Sequence, residues 1–318
     1  MPDNIQLPAM RIHCIGRYLI DLPEEYIFHP ENDLTLYYGL GKDFKTLKVF
    51  SSPLPSGVSF KQLILKARWA FEADEHFESP SKNMLAEVRE INPDLVLIRS
   101  YYSPDIVDMF KLHLYARRGN TVTRIEGRKA SDKINSTPLE QVESRLLRLA
   151  QNTQFFEAPE KAGRGSCLGS VTVDDGQDGE VFSLYFFSEK HPDVKLSIDM
   201  NSLPEKGDGG LLKRVDSKAG LFQKFGISST TLRRGKRQIA GRSGEELLDA
   251  GKHEGKIERL FTAETLVTEP SSITRPVIAI SMTMGGQNKD GAYVDPSLSE
   301  KEALAWWDAI VGSIRPRP

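Results

Sequence analysis

From Val194 to Met200 the chain alternates without a break, with Val194, Leu196, Ile198 and Met200 set against Lys195, Ser197 and Asp199. A period of two sends successive side chains to opposite faces of a strand, so this stretch has one buried face and one wet face. Antiparallel sheets commonly carry that asymmetry, whereas parallel sheets bury both faces. Ile278, Ile280, Met282 and Met284 repeat the pattern. Strand-length apolar or alternating runs also occupy residues 12–22, 33–38, 47–50, 84–91, 95–102, 110–116, 121–127 and 256–267. Hairpin-sized connections separate several of them. Arg117–Asn120 reads as a hairpin turn, Arg234-Gly235 as a turn between strands 230–233 and 236–240, and 174–179 as an acidic turn joining 171–173 to 181–187.

Single helices punctuate the strands. Ser59 with Gln62 forms a capping-box pattern ahead of Phe60, Leu63, Ile64, Ala67 and Phe71, which predicts a helix over 60–75. Thr137 as cap, Pro138 at the first helical position and Glu140 open a second helix with a stripe of Leu139, Val142, Leu146 and Leu149. Leu212, Val215, Ala219 and Phe222 share helical spacing. Ser299 with Glu302 caps a last helix whose inward stripe is Ala303, Leu304, Trp307, Ile310, Val311 and Ile314, with Trp306 at its margin. Strand runs broken by single helices imply α+β lobes with mainly antiparallel sheets.

The pattern comes twice. Arg11-Ile-His-Cys-Ile-Gly16 opens one half and Gly165-Ser-Cys-Leu-Gly169 the other, and each half closes on a capped amphipathic helix. The turn-rich segment Ala158–Gly165 places a boundary between lobes 1–158 and 159–318, read as a structural duplication. With 42 basic and 44 acidic residues the net charge is -2, so no global field steers the chain to nucleic acid or membrane. No run approaches the ~20 apolar residues of a membrane span, and the start Met1–Pro8 has the form of neither a signal peptide nor a lipoprotein. The sequence as printed therefore reads as cytoplasmic, or as a mature chain already trimmed. Cys14 and Cys167 are expected to be two separate buried thiols, with a disulfide as the alternative.

Chemistry-bearing constellations are sparse. Ser166 is misplaced by one residue for a nucleophile elbow, and Gly241-Arg-Ser243-Gly244 holds only its left half. The six histidines are widely spaced, with no zinc pattern. Gly163, Gly165 and Gly169 miss the dinucleotide fingerprint, and Asp174, Asp175 and Asp178 miss the glycine and glutamate of a calcium loop. No catalytic, cofactor-binding or metal-binding residue is expected, and no cofactor.

Three stretches carry a family resemblance: Cys14-Ile-Gly-Arg-Tyr-Leu-Ile-Asp-Leu-Pro23, Ile239-Ala-Gly-Arg-Ser-Gly-Glu-Glu-Leu-Leu248 and Ser297–Ile310. In this order and at these separations they resemble the Tli4 family of type VI secretion immunity proteins. The resemblance implies a non-enzymatic periplasmic protein that neutralises a cognate phospholipase effector, and because a lipase must move a lid to reach lipid, blockade of that lid or of the active-site mouth is the expected mechanism. It carries over no catalytic residue, and the export signal usual in the family is not among its motifs here. A monomer when free and a 1:1 complex with the effector are expected. Candidate partner contacts are the acidic turn, Asp174, Asp175 and Asp178, and the basic turn, Arg233, Arg234 and Arg237, because charged tips speed encounter and select partners. The alternatives are a secretion adaptor or chaperone for such an effector, or a lipid-modifying hydrolase acting through Ser166 or Ser243.

Overall fold

The computed structural model describes residues 6–40, 45–129, 138–203, 209–224, 229–267, 271–288 and 290–318. They fall into two compact units, one formed by Asp33–Glu180 and the other by the stretch ending at Asn32 together with Val181–Pro318. Both are α+β, and the strand pairings described are antiparallel.

The chain starts in the unit built from both of its ends, with β1 (Met10–Ile15), β2 (Tyr18–Pro23) and β3 (Tyr26–Phe28). The single apolar run expected over 12–22 is two strands. β1 and β2 pair from Met10↔Pro23 to Ile15↔Tyr18, and the chain reverses at Gly16-Arg17. Gly16 makes the reversal at φ +56°, where a side chain is strained, and a Cβ there meets Met200 Cε at 3.2 Å.

The middle unit follows, with β4 (Asp33–Tyr38), β5 (Lys45–Pro53), α1 (Phe60–Ala73), β6 (Leu85–Asn92), β7 (Leu95–Tyr101), β8 (Phe110–Arg118), β9 (Thr121–Lys129) and α2 (Leu139–Asn152). Its sheet runs β4-β5-β9-β8-β7-β6. The two helices cover opposite faces. Phe60 and Ile64 of α1 pack with Val96, Ile98, Tyr115 and Val122, while Val142 of α2 lies within 3.1 Å of where a Cβ on Gly127 of β9 would stand. The Ser59–Gln62 capping box of α1 is formed. In α2, Pro138 is the cap position rather than the first helical residue, and Thr137 lies outside the described residues. β10 (Gln154–Phe155), β11 (Ser166–Leu168) and β12 (Val171–Val173) make a small sheet in the order β10-β12-β11. The expected boundary at 158/159 falls between β10 and β11, inside this unit.

The chain then returns to the first unit through β13 (Gly179–Ser188), β14 (Lys195–Asn201), α3 (Leu211–Lys224), β15 (Ser229–Ile239), β16 (Arg242–His253), β17 (Lys256–Thr265), β18 (Val277–Gln287), β19 (Tyr293–Val294), α4 (Glu300–Ser313) and β20 (Arg315–Pro316). The main sheet here is ordered β15-β16-β17-β18-β14-β13, with β3 beside β13, while β1-β2-β20 form a separate sheet. The hairpin expected across residues 171–187 does not form, because β12 pairs with β10 and β11 whereas β13 pairs with β14 and β3.

β14 and β18 are paired through Leu196↔Met282, Ile198↔Ile280 and Met200↔Ile278, all buried on one face. Opposite them α4 inserts Trp307, which is fully buried and meets Phe261 edge-on at 5.9 Å. The Ser299–Glu302 capping box sets the start of α4. Trp306, expected at the margin of the helix, is itself buried, with its ring edge-on to Tyr26 and His191. The stripe is wider than the spacing implied because α4 meets β2 as well as β15.

Both cysteines are buried, and the expectation of two thiols is overturned, since each is in the disulfide form and neither is free. Burial alone does not distinguish a thiol from a bridged sulfur, because both are apolar.

Candidate functional site

The acidic segment after β12 is only partly a solvated tip. Asp175 has a side chain 1 % exposed. Its carboxylate accepts from Arg148 Nε at 2.9 Å and Nη2 at 3.0 Å, Tyr38 Oη at 3.0 Å and Asn152 Nδ2 at 3.1 Å. Burial and then the Asp175 charge push the Tyr38 phenol far above its ordinary range, so it stays a donor. Asp178 is exposed, yet its Oδ2 accepts from the Gly39 amide at 2.7 Å, while the Asp178 amide donates to the Tyr37 carbonyl at 2.8 Å. Asp174 is exposed. The segment therefore ties α2 to the end of β4 and leaves Asp174 and one edge of Asp178 facing outward.

The basic cluster is not a turn. β15 runs unbroken from Ser229 to Ile239, and the reversal comes at Ala240-Gly241, with positive φ at both residues. Gly235 is extended in mid-strand, opposite Glu246. A bulge between Thr231 and Arg233 shifts the register and helps aim Arg233 and Arg237 toward α4. Asp308 of α4 takes Arg233 in a two-pronged bond at 2.7 and 2.9 Å, and Arg237 Nη1 at 2.7 Å. Beneath them the buried Glu246 carboxylate lies 2.8 Å from Arg233 Nε and accepts from Trp307 Nε1 at 3.1 Å. Burial would raise the Asp308 carboxyl, but the two arginines hold it below the ordinary carboxylate range. Arg234 points to the other face and pairs with Asp216 of α3 at 2.7 Å. An open pocket of about 480 Å³ borders this knot, lined by Arg237, Gln238, Gly241, Glu246, Val311 and Ile314 among others.

One constellation escapes a motif search because it lies across strands. Ser100 Oγ is 3.3 Å from His113 Nε2, and His113 Nδ1 is 3.3 Å from Glu126 Oε1. Glu126 sits directly opposite His113 in the β8–β9 register, so the tight turn at Gly119-Asn120 together with residue parity encodes the pair. Serine, imidazole and carboxylate in line are the parts of a hydrolytic relay. Here Ser100 is 1 % exposed, and the ring of Phe71 from α1 lies 5.0 Å from the imidazole. The Ser100 hydroxyl is thus sealed between helix and sheet, with no approach for an ester carbonyl. Ser166 is fully buried and donates to Glu180 at 2.6 Å, and Ser243 stands exposed near the β15–β16 turn. Among the described residues no group of three or more His, Cys, Asp or Glu side chains is placed to hold a metal ion. No helix among them is long and apolar enough to cross a membrane.

The structure is thus two antiparallel α+β units in which Asp175, Arg233, Arg234 and Arg237 are held in internal pairs and the Ser100–His113–Glu126 array is sealed. Residues 157–318 match the family model described as the Tle cognate immunity protein 4 C-terminal domain. The chain belongs to the Tli4 family of type VI secretion immunity proteins. It is similar over 97% of its length to a chain in the crystal structure of a Tle4–Tli4 complex, covering 98% of that chain with 26% identity and a TM-score of 0.67. It shares its fold with the immunity protein TplEi of the type VI secretion system of Pseudomonas aeruginosa. The apo form gives a TM-score of 0.65 at 24% identity, covering 97% of both chains. The form complexed with an "L" peptide gives 0.61 at 24% identity, covering 97% of this chain and 98% of that one. A comparison with curated proteins finds no match.

Proposed function

We propose that this chain binds a cognate phospholipase effector of type VI secretion and neutralises it by covering the lid or the mouth of its active site. The observation that carries this reading is the family match over 157–318, joined to whole-length similarity to a protein solved in a Tle4–Tli4 complex. The geometry supports a non-enzymatic role, because Ser100 and Ser166 are both buried and Ser166 is held by a carboxylate rather than a histidine. The protein works as a monomer that forms a 1:1 complex. Immunity has to act at low effector concentration, so the interface is expected to exceed roughly 2,000 Å² in total and the affinity to reach nanomolar.

The site of action is the periplasm. Oxidised cysteines suit that compartment, since disulfides form and persist where thiols are not kept reduced. Of the six charged residues proposed as contacts, the exposure of Asp174, Asp178 and Arg234 supports a contact role, while Asp175, Arg233 and Arg237 are engaged in internal pairs. A phospholipase assay of the cognate effector, with and without an equimolar amount of this protein, tests the proposal. Loss of lipid hydrolysis is expected, and unchanged turnover sinks it.

A further inference from the structure

Five arginines from separate stretches of one unit gather at the end of the β1-β2-β20 sheet where Tyr18 lies, on both of its faces. Arg17 precedes it in the β1–β2 turn. Arg242, the first residue of β16, sets its guanidinium 5.9 Å from the ring centroid. The Tyr18 hydroxyl donates to the Thr274 carbonyl at 3.1 Å, which brings Arg275 alongside. In the β2–β20 pairing Tyr18 stands opposite Pro316, between Arg315 and Arg317, and the Arg317 amide donates to the Arg17 carbonyl at 3.0 Å. The chain as a whole carries a net charge of -2, so this concentration of positive charge is made by the fold.

The arginines feel one another. Burial and then Arg17 lower the pKa of Arg317, and burial and then Arg275 lower that of Arg242. Asp21 takes Arg315 at 2.9 Å. In Arg242 both Nε and Nη2 are buried with no hydrogen-bond partner among the described residues. An unpaired buried donor on a charged group is costly, so this guanidinium favours any carboxylate brought to its accessible edge. The surface is nonetheless reachable: Arg275 is exposed and the other four are half-buried. Ala240, Gly241 and Ile314 carry it into the open pocket, where the exposed Lys236 adds positive charge.

We propose that this arginine cluster is the docking site for a carboxylate-rich segment of the cognate effector, with the adjoining pocket receiving a neighbouring side chain. The inference rests on the immunity reading above. Guanidinium forks match carboxylates in bidentate pairs, and several gathered at one sheet end match several acidic side chains along an extended segment. Charge complementarity thus selects an acidic stretch of protein as the occupant.

The test uses the full chain and a catalytically inactive form of its cognate effector, with affinity and association rate measured at low and high salt. Arg275→Glu changes an exposed side chain, Arg242→Gln removes the unpaired charge, and Lys195→Glu reverses an exposed charge elsewhere in the same unit. Urea midpoints establish that each variant folds, and Arg275→Gln replaces Arg275→Glu if the latter does not. Arg275→Glu is expected to weaken binding about tenfold or more, mainly through slower association and most strongly at low salt. Arg242→Gln weakens it too, Lys195→Glu leaves it unchanged, and a ten-residue glutamate peptide competes with the effector. Effector affinity within about twofold of the parent protein in both arginine variants overturns the docking site. Arginine-dependent binding to phosphatidylglycerol vesicles or inorganic phosphate, with effector affinity untouched, overturns it as well. If the unaltered chain inhibits the effector and the arginine variants inhibit equally, the docking site alone falls; if the unaltered chain neither binds nor inhibits it, the immunity reading falls and the docking site with it.

Discussion

Replacing Asp175 with alanine separates a structural carboxylate from a partner contact. The side chain is buried and accepts four hydrogen bonds, so its loss acts on the folded chain whether or not a partner is present. The Tyr38 hydroxyl loses a charged acceptor in a half-buried setting, which costs about 2 kcal/mol. Arg148 is more than half exposed, so water takes over much of its bidentate pair and the loss is nearer ~0.5–1 kcal/mol. Asn152 is exposed and adds little. The sum is about 3 kcal/mol, or a fall of roughly 6–12 °C in the melting temperature of a unit this size. Asp175→Asn keeps the shape and two acceptor lone pairs, so it should lose about half as much. Urea and thermal unfolding followed by circular dichroism read the stability, and effector affinity measured well below the melt reads the contact. Effector affinity should stay within about threefold. An unchanged melting point combined with a collapse of effector binding would refute the argument, because the four bonds would then contribute nothing to folding.

Trp307→Ala should destabilise its unit by about 3–5 kcal/mol, since it empties a fully buried site against Phe261 and takes a donor from the buried Glu246; Trp307→Phe isolates the second effect, and denaturant midpoints measure both. His13 is depressed from 6.5 to about 4 by burial and then by Arg11, against the opposing pull of Asp21. Its neutral state therefore contributes fully above pH 6.5, and roughly 3 kcal/mol of stability drains away as pH falls from 6.5 to 4. The difference in stability between parent and His13→Leu proteins, followed across that window, should show the slope, and a flat difference counts against it. Thiol titration of the unfolded, unreduced chain should find no free cysteine, and reduction should lower the melting temperature.

Local chemistry made much of the fold legible. The capping boxes at Ser59 and Ser299 form as their spacing requires, because the reciprocal bonds lie within four consecutive residues. The alternation at 194–200 and 277–284 becomes two paired strands sharing a buried face. β15 was not legible, because as the outermost strand in its sheet order it has no need of apolar alternation, and Gly235 within a run of arginine and lysine has the composition of a turn. Trp306 was placed at a margin because helical spacing marks one stripe, whereas α4 is covered on more than one side.

The sequence alone determined the α+β class, the antiparallel pairing and the family, since these depend on periodicity and on short ordered motifs carried by neighbours in the chain. Only the tertiary structure decided which charges meet. Asp175 meets Tyr38 across 137 positions and Arg233 meets Asp308 across 75, and no local pattern encodes such partners. The grouping of Arg17, Arg242, Arg275, Arg315 and Arg317 at one end of the β1-β2-β20 sheet likewise appears only when both ends of the chain pair through β2 and β20. Coulomb energy depends on distance in space, so a chain of nearly balanced charge acquires a concentrated positive surface only by folding.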